Sequence, residues 1–420
     1  MRIIMAGVDF YTAPLAVRER FSFTGRQAAD AMQAALKTPG VQGCVFLCTC
    51  NRTELWISSK KDARIHTPRL LCALKGLPYS EYKDFIVQRE EEDAALHLFE
   101  TAAGLHSMLK WEDRILGQVK EALKAARDAQ TTDETLDRIF QSAIAAAKRV
   151  KTQVKPLVGA ADATHCITEK IHESMPDLNG VRCLVIGNGE MGRSAARALA
   201  LLGSDVAITV RTYRRGLSLV PEHCEPVEYD GRMKEVKKAA IVIGATRSPH
   251  FTLDAQAVRG ILEDGRERLF FDLACPRDFD PNIATIGNTK LFNIEDISAG
   301  VTGGLDGGAE QAAGQILRRE LAQFAVWRAK RESIPLVQEA ADTAADKIIR
   351  RMQGALAGLR MDPQTQEMVE RVVQEASGRV LLSMLFELEE RIGPEFAQGL
   401  EAYIAEQYPQ KRLGGGGCDA

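Results

Sequence analysis

The sequence predicts a multidomain α/β chain, and three observations carry that expectation. Its 420 residues exceed the length at which one hydrophobic core keeps growing, so about two to four domains are expected. From about residue 181 short apolar runs alternate with helical stretches, the pattern of a parallel sheet covered by helices. Beyond Glu310 the apolar spacing is helical, with few strand signals. The expected order is an α+β N-terminal domain ending in a long connecting helix (residues 1–153), a nucleotide-binding α/β domain (165–300), an all-α C-terminal domain (309–412) and a flexible tail (413–420, "LGGGGCDA").

Apolar residues at 45% and charged residues at 26% match ordinary globular proteins and exclude wholesale disorder. With a formal net charge of -3, a nucleic-acid partner has to be held by local basic patches. "MRIIMAGVDFYTAP" breaks its apolar run with Asp9 and Pro14, and no segment offers the ~18 apolar residues of a membrane span, so a cytoplasmic protein is expected. Nine scattered cysteines without a Cys-x-x-Cys pair read as reduced thiols.

Taken in order, residues 2–9 and 41–50 read as strands separated by a helix over 25–37, and "RTELWISS" alternates as a further strand, so 51–53 is expected to turn. Residues 91–128 have helical period with a break near Gly104; 133–153 form a long amphipathic helix, ended by Pro156. "VRCLVIG", "DVAITV", "AAIVIGAT" and "ERLFFDLA" are candidate parallel strands. In the C-terminal part, breaks are expected at Pro335, Pro363 and Pro394, and Ile316, Leu317, Leu321, Phe324 and Trp327 form a packing face that a second subunit can use.

In "VRCLVIGNGEMGRSAARALALLG" an apolar strand runs into Gly187, Asn188, Gly189, Glu190, Met191 and Gly192, followed by a helix rich in alanine. This context predicts a Rossmann-type dinucleotide site: Gly187 for the tight turn, Gly189 for close approach of a pyrophosphate, Gly192 for helix packing. A glycine-rich turn without a ligand is the plainer alternative. About twenty residues on, where an acid would hold the ribose of NAD, stand Arg211, Arg214 and Arg215, which suit the 2'-phosphate of NADP. A solvated basic loop would look the same.

"FLCTCNRTELW" places Cys48 and Cys50 one residue apart. A metal clip needs further ligands at metal-site spacing, which the chain lacks, and a disulfide between i and i+2 is strained. An inert core cysteine remains the plain reading. Cys50 stands apart because it ends a strand, has Arg52 nearby to lower its pKa, and has Asn51 and Thr53 as hydrogen-bonding neighbours, the surroundings of a nucleophile.

"TCNRTELW" resembles the signature of the glutamyl-tRNA reductase family. "GVDFYTAPLAVRERFSF", "HLFETAAGLHSM" with "ILGQVKEA", "GNGEMG" and "DLACPRDFDP" agree with it in order and spacing, over about residues 5–300. The resemblance implies NADPH-dependent reduction of glutamyl-tRNA(Glu) to glutamate 1-semialdehyde through a Cys50 thioester, the first step of tetrapyrrole (porphyrin, heme) synthesis from glutamate by the C5 route. It implies that Thr49, Asn51 and Arg52 grip the glutamyl group, that Ser107, Glu112, Asp113 and Gln118 occupy pocket positions, with Arg114 among them, and that His97 serves activity. Without the resemblance, His97 on an apolar helix reads as a satisfied core residue. It further implies a homodimer through the C-terminal helices and handover of the product to glutamate-1-semialdehyde aminomutase. Lys148, Arg149 and Lys151 are candidates for tRNA phosphates, although a solvated helix end fits them as well.

The chain departs from the family in places. Cys48 replaces a usual Ser, Lys110-Trp111-Glu112 replaces Leu-Gly-Glu, and Arg114 replaces a Gln in the pocket. "KPLVGAADATHCITEKI" lacks the usual glycine and serine-valine run, and "GRVLLSMLFELEERIG" stands in place of a Lys-Leu-Leu-His-Pro ending. Two alternatives follow: a divergent paralogue reducing another acyl substrate, or a catalytically silent NADP-binding regulator. Retention of Cys50, Arg52, His97 and Gln118 together argues against the silent form.

Overall fold

A computed structural model describes residues 1–108, 114–154, 163–211, 220–298, 307–356 and 362–393, with Phe396, Gly399, Leu400 and Ala402. The chain divides into two compact units, Met1–Leu321 and Ala322–Ala420.

The first lobe of the first unit contains β1 (Arg2–Asp9), α1 (Leu15–Phe21), α2 (Gly25–Leu36), β2 (Val41–Cys48), β3 (Arg52–Ser59), α3 (Thr67–Lys75), α4 (Tyr79–Tyr82), β4 (Val87–Glu90), α5 (Glu91–Ala103), α6 (Arg114–Asp128) and α7 (Glu134–Gln153). The strands pair antiparallel in the order β2-β3-β1-β4, and all eight residues of the inner strand β3 are buried. A strand covered on both faces buries its polar side chains too, which is why Arg52 and Glu54 lie inside the sheet's packing. The helices begin where the sequence supplies oxygen acceptors: Thr24 caps α2 in a reciprocal box with Gln27, and Asp133 caps α7 at Leu136 N, 2.9 Å away. Gly104, at φ 85°, ends α5 in the left-handed conformation that glycine tolerates.

The reversal before β3 differs from the expected turn at 51–53. Cys48 pairs with Thr53 across the hairpin, and Thr49 Oγ1 accepts the backbone N–H of both Asn51 and Arg52 at 3.1 Å. The threonine hydroxyl closes the turn early, so Arg52 and Thr53 already belong to β3.

The second lobe comprises α8 (Ala163–Ser174), β5 (Arg182–Ile186), α9 (Glu190–Leu201), β6 (Asp205–Val210), β7 (Cys224–Glu228), α10 (Arg232–Lys238), β8 (Ile241–Gly244), α11 (Ala255–Leu262), β9 (Glu267–Asp272), β10 (Asn288–Asn293) and α12 (Ile294–Ser298). Its sheet is parallel throughout in the order β10-β9-β8-β5-β6-β7, the doubly wound arrangement whose order reverses between β5 and β8. One apolar layer gathers Val185, Ala196, Leu199 and Phe271; the opposite face gathers Leu184, Val242, Val258 and Phe270. The four apolar runs expected as strands form β5, β6, β8 and β9. β4, β7 and β10, which the apolar pattern did not announce, are edge strands, where one side meets solvent and residues such as Pro226 and Lys290 are tolerated.

Beyond it run α13 (Gly307–Leu356) and α14 (Pro363–Ile392). Pro335 does not break the chain: it lies inside α13. Losing the proline's N–H disfavours a helix by about 3 kcal/mol. The next turns bury Val337, Ala340 and Ala341, and that packing keeps the helix continuous. Pro363 opens α14 at its first turn behind the cap Asp362, and Pro394 lies outside the described residues. In the second unit, Val337 and Ala340 pack with Leu382, Leu385 and Phe386. No helix among the described residues is long and apolar enough to cross a membrane.

Candidate active site

The turn between β2 and β3 presents Cys50 half-buried, with its carbonyl accepting a 2.9 Å bond from Arg18 Nη1. Its neighbour Cys48 is a different thiol: burial, only partly offset by Thr53, pushes it up to about 12, so it stays protonated and inert near neutral pH. Thr49 spends its hydroxyl on the turn. Asn51 Oδ1 is buried without a hydrogen-bond partner, the kind of acceptor that a bound ligand satisfies.

Below the turn lies a buried charge cluster. Arg52 Nη1 donates to Glu54 Oε1 at 2.9 Å and Thr101 Oγ1 at 3.2 Å, and Nη2 donates to the His106 carbonyl. These bonds use three of the guanidinium's five N–H groups, leaving Nε–H and one Nη2–H. Glu54 also accepts from Trp56 Nε1 at 3.0 Å and meets His97 Nε2 at 2.8 Å. Burial resists ionisation of Glu54, yet the charges of His97 and Arg52 and their hydrogen bonds prevail and hold its carboxyl at about 2. A carboxylate only accepts, so Nε2 of His97 carries the hydrogen and Nδ1, buried and without a partner, faces the remaining task of the ring. The His97 ring stacks between Trp56 (6.3 Å) and His106 (5.3 Å), and His106 is itself fixed by Glu100 at 2.8 Å.

Glu54 was not among the expected site residues. The alternation of "RTELW" contained the signal, because residues i, i+2 and i+4 of a strand share a face and Arg52, Glu54 and Trp56 therefore meet.

Of the expected pocket residues, Ser107 is buried just after the α5 cap, its N–H donating to the Gly104 carbonyl at 3.3 Å. Arg114 opens α6 and reaches the second lobe, where Nη1 bonds Met191 Sδ at 2.8 Å. Gln118 sits one helical turn along α6, half-buried. Glu112 and Asp113, with Lys110 and Trp111, lie outside the described residues, as do Arg214 and Arg215.

The second lobe carries a dinucleotide crevice at its switch point. Gly187, at φ 117°, donates its N–H to Thr209 Oγ1 at 2.9 Å, and a Cβ there would meet the Ala245 carbonyl oxygen at 2.5 Å. A Cβ on Gly192 would approach the Gly187 carbonyl oxygen to 1.9 Å, so this glycine lets α9 close on the loop. Gly189 is different: a Cβ would point into open space, with nothing nearer than 4.0 Å. It caps α9 without a side chain, leaving backbone N–H groups of the first turn for an anion. Asn188, Glu190 and Met191 complete the loop. Arg211 follows β6, its guanidinium 5.0 Å from the Tyr229 ring centre. Open space at Gly189, an uncapped helix start and a cation beyond β6 fit a nicotinamide dinucleotide.

The lobes also meet at the Cys50 turn. Arg18, 2% exposed, extends Nη2 to Glu295, and Glu19 accepts Arg277 Nε and Nη2, each at 2.7 Å. Burial, and then the neighbouring Cys50, push the Cys275 thiol up to about 12. Just before this loop, at the end of β9, burial and the carboxyl of Asp278 raise Asp272 to about 7.

Comparison with known proteins agrees with this arrangement. Residues 6–154 match the N-terminal domain of glutamyl-tRNA(Glu) reductase, and residues 169–299 match the shikimate/quinate 5-dehydrogenase domain, so the second lobe is of the nicotinamide-binding dehydrogenase kind. The glutamyl-tRNA reductase of Acetivibrio thermocellus is 39% identical over 71% of this chain and 89% of its own length. That of Alkaliphilus oremlandii is 36% identical over the same shares, 71% and 89%. The solved glutamyl-tRNA reductase of Methanopyrus kandleri superposes with a TM-score of 0.50 at 25% identity, covering 95% of this chain and 97% of that one. The chain belongs to the glutamyl-tRNA reductase family.

Proposed function

We propose that Cys50 is the nucleophile of an NADPH-dependent glutamyl-tRNA reductase, with the Arg52–Glu54–His97 cluster as the frame of its substrate pocket. As a family member the chain is an oxidoreductase of the first step of tetrapyrrole synthesis from glutamate. The observation that carries the site is the position of Cys50, on a turn pinned by Thr49 and Arg18, followed directly by the buried Arg52 and within electrostatic reach of Cys275 on the dinucleotide lobe.

In this reading the Cys50 sulfur attacks the acyl carbon of the glutamyl ester, the bond to the tRNA 3'-oxygen breaks, and that oxygen leaves with a proton. The thioester so formed is easier to reduce than an oxygen ester. His97 exchanges protons through Nδ1, because Glu54 holds Nε2 as an N–H. The two N–H groups left on Arg52 suit the substrate's side-chain carboxylate, and Asn51 Oδ1 suits its ammonium. A nicotinamide held in the crevice would supply a hydride to the thioester carbon; with the carbon–sulfur bond broken and a proton returned to the Cys50 sulfur, the product is glutamate 1-semialdehyde. Gly187, Asn188, Gly189, Glu190, Met191 and Gly192 would hold the pyrophosphate, and the charge of Arg211 would favour NADPH. Ser107, Glu112, Asp113, Arg114 and Gln118 remain the proposed pocket wall.

The tRNA backbone has a candidate surface in an open groove between α6 and α7, of about 320 Å³, lined by Lys120, Lys124, Arg127 and Lys148. Of the other two basic candidates, Arg149 pairs with Glu320. A homodimer is supported by α14, whose Met368, Val372, Val380, Met384, Leu388 and Ile392 are exposed at spacings of four or eight, the ridge that helix–helix contacts use. We keep residues 1–153, 165–300 and 309–412 as the working domains, the cytoplasm as the site of action, and direct transfer of the reactive aldehyde to glutamate-1-semialdehyde aminomutase.

The test is NADPH oxidation with charged glutamyl-tRNA beside uncharged tRNA, free glutamate and Cys50→Ser. Turnover is expected with the charged tRNA alone, with a loss on the order of a thousand-fold or more in the variant. Equal turnover by the Ser variant rules out the thioester. Absence of turnover with every charged tRNA favours the silent regulator.

A further inference from the structure

α1 places two residues of opposite charge side by side at the boundary between the lobes, and each meets the opposite charge on the dinucleotide lobe. Arg18 bonds Glu295 on α12, and Glu19 takes a bidentate grip from Arg277, whose backbone N–H also donates to it at 2.8 Å. Arg18 does more than pair. Its Nε donates to the Ala13 carbonyl at 3.2 Å and its Nη1 to the Cys50 carbonyl at 2.9 Å, so one buried guanidinium ties α1, the nucleophile turn and the second lobe. The four charges alternate in sign, so a displaced lobe would put like charges nearer each other, and the arrangement selects one seating. Cys275, on the loop that also carries Arg277, lies within electrostatic reach of Cys50 in that seating.

We propose that Arg18 and Glu19 form a charge-alternating clasp that holds the dinucleotide lobe closed over Cys50, with Arg18 as a positioning residue that couples closure to the nucleophile's backbone. The function served rests on the reductase reading: a closed lobe keeps water from the thioester until it is reduced. When the clasp is loose, water adds to the thioester carbon, the carbon–sulfur bond breaks, the sulfur regains a proton and glutamate is released, with no change of oxidation state.

Alkylation of individual cysteines by iodoacetamide, followed by peptide mass spectrometry on the cofactor-free full chain, measures closure without substrate. In Glu295→Gln/Arg277→Gln, Cys50 and Cys275 are expected to react about ten-fold faster, while the buried Cys44, Cys72 and Cys183 keep their rates. Arg277→Glu alone is expected to loosen the clasp further, and Glu19→Arg with Arg277→Glu to restore it. Unchanged labelling of Cys50 overturns the clasp, as does a rise shared by Cys44, Cys72 and Cys183, or a charge swap that fails to rescue. In turnover, NADPH oxidised per glutamyl-tRNA deacylated should fall below one in the Gln pair. A ratio that stays at one overturns its role in protecting the thioester. Because labelling needs no substrate, its outcome stands apart from that of the Cys50→Ser assay.

Discussion

Glu54 holds together the charges beneath the Cys50 turn, and its removal leaves two buried partners, Arg52 and His97, without their common acceptor. Its carboxyl is lowered from 4.5 to about 2 in the fold, so its ionised form is favoured there relative to the unfolded chain. The contribution is fully present above pH ~4.5 and disappears as pH falls through ~2, and the shift corresponds to about 3 kcal/mol. Glu54→Gln should therefore lower unfolding free energy by about that much at pH 6 and by about half as much at pH 3. Urea unfolding at the two pH values checks this, and a gap independent of pH rules out the assigned charge balance. At this scale the sequence announced residues whose chemistry is local. Cys50, Asn51 and Arg52 occupy one short turn and strand start. Arg18 was not legible as part of the site, because its partner Glu295 lies 277 positions away and only the tertiary fold brings them together.

The Gly-rich loop shows how one element divides its work among similar residues. Gly192→Ala forces the new methyl against the Gly187 carbonyl and should both destabilise the lobe, by about 1–3 kcal/mol, and weaken cofactor binding. Gly189→Ala has room for its methyl, so thermal stability should hold within about 1 kcal/mol. Cofactor affinity should still fall at least ten-fold, because the methyl occupies the approach to the uncapped helix start. Thermal melts with titration of NADPH by fluorescence separate the two outcomes, and equal destabilisation by both variants contradicts the division. The parallel core strands were legible because each is buried on both faces and reads as a continuous apolar run. β7 and β10 were not, because an edge strand is polar on its open side. Pro335 misled for a related reason: local propensity argues for a break, and the packing around Val337 and Ala340 overrides it.

At the scale of the whole chain, length allows two to four domains and the chain divides into two compact units, whose boundary at Leu321 and Ala322 falls inside the single helix α13, where the sequence offers no break. The exposed ridge on α14 bears on assembly. Val380→Glu with Met384→Glu places two charges in the middle of that ridge and should convert a dimer to monomers, read by sedimentation, while the melting of the first unit is unchanged. A variant that sediments as the parent does assigns the subunit contact elsewhere. Asn51 Oδ1 and His97 Nδ1 carry a last consequence. On the proposed reading, a ligand that hydrogen-bonds these two buried atoms would stabilise the fold by about 1–3 kcal/mol for each. Occupancy and folding would then be linked: a glutamyl ligand would act as a pharmacological chaperone for the fold it binds, and resistance to proteolysis and heat would rise with its concentration.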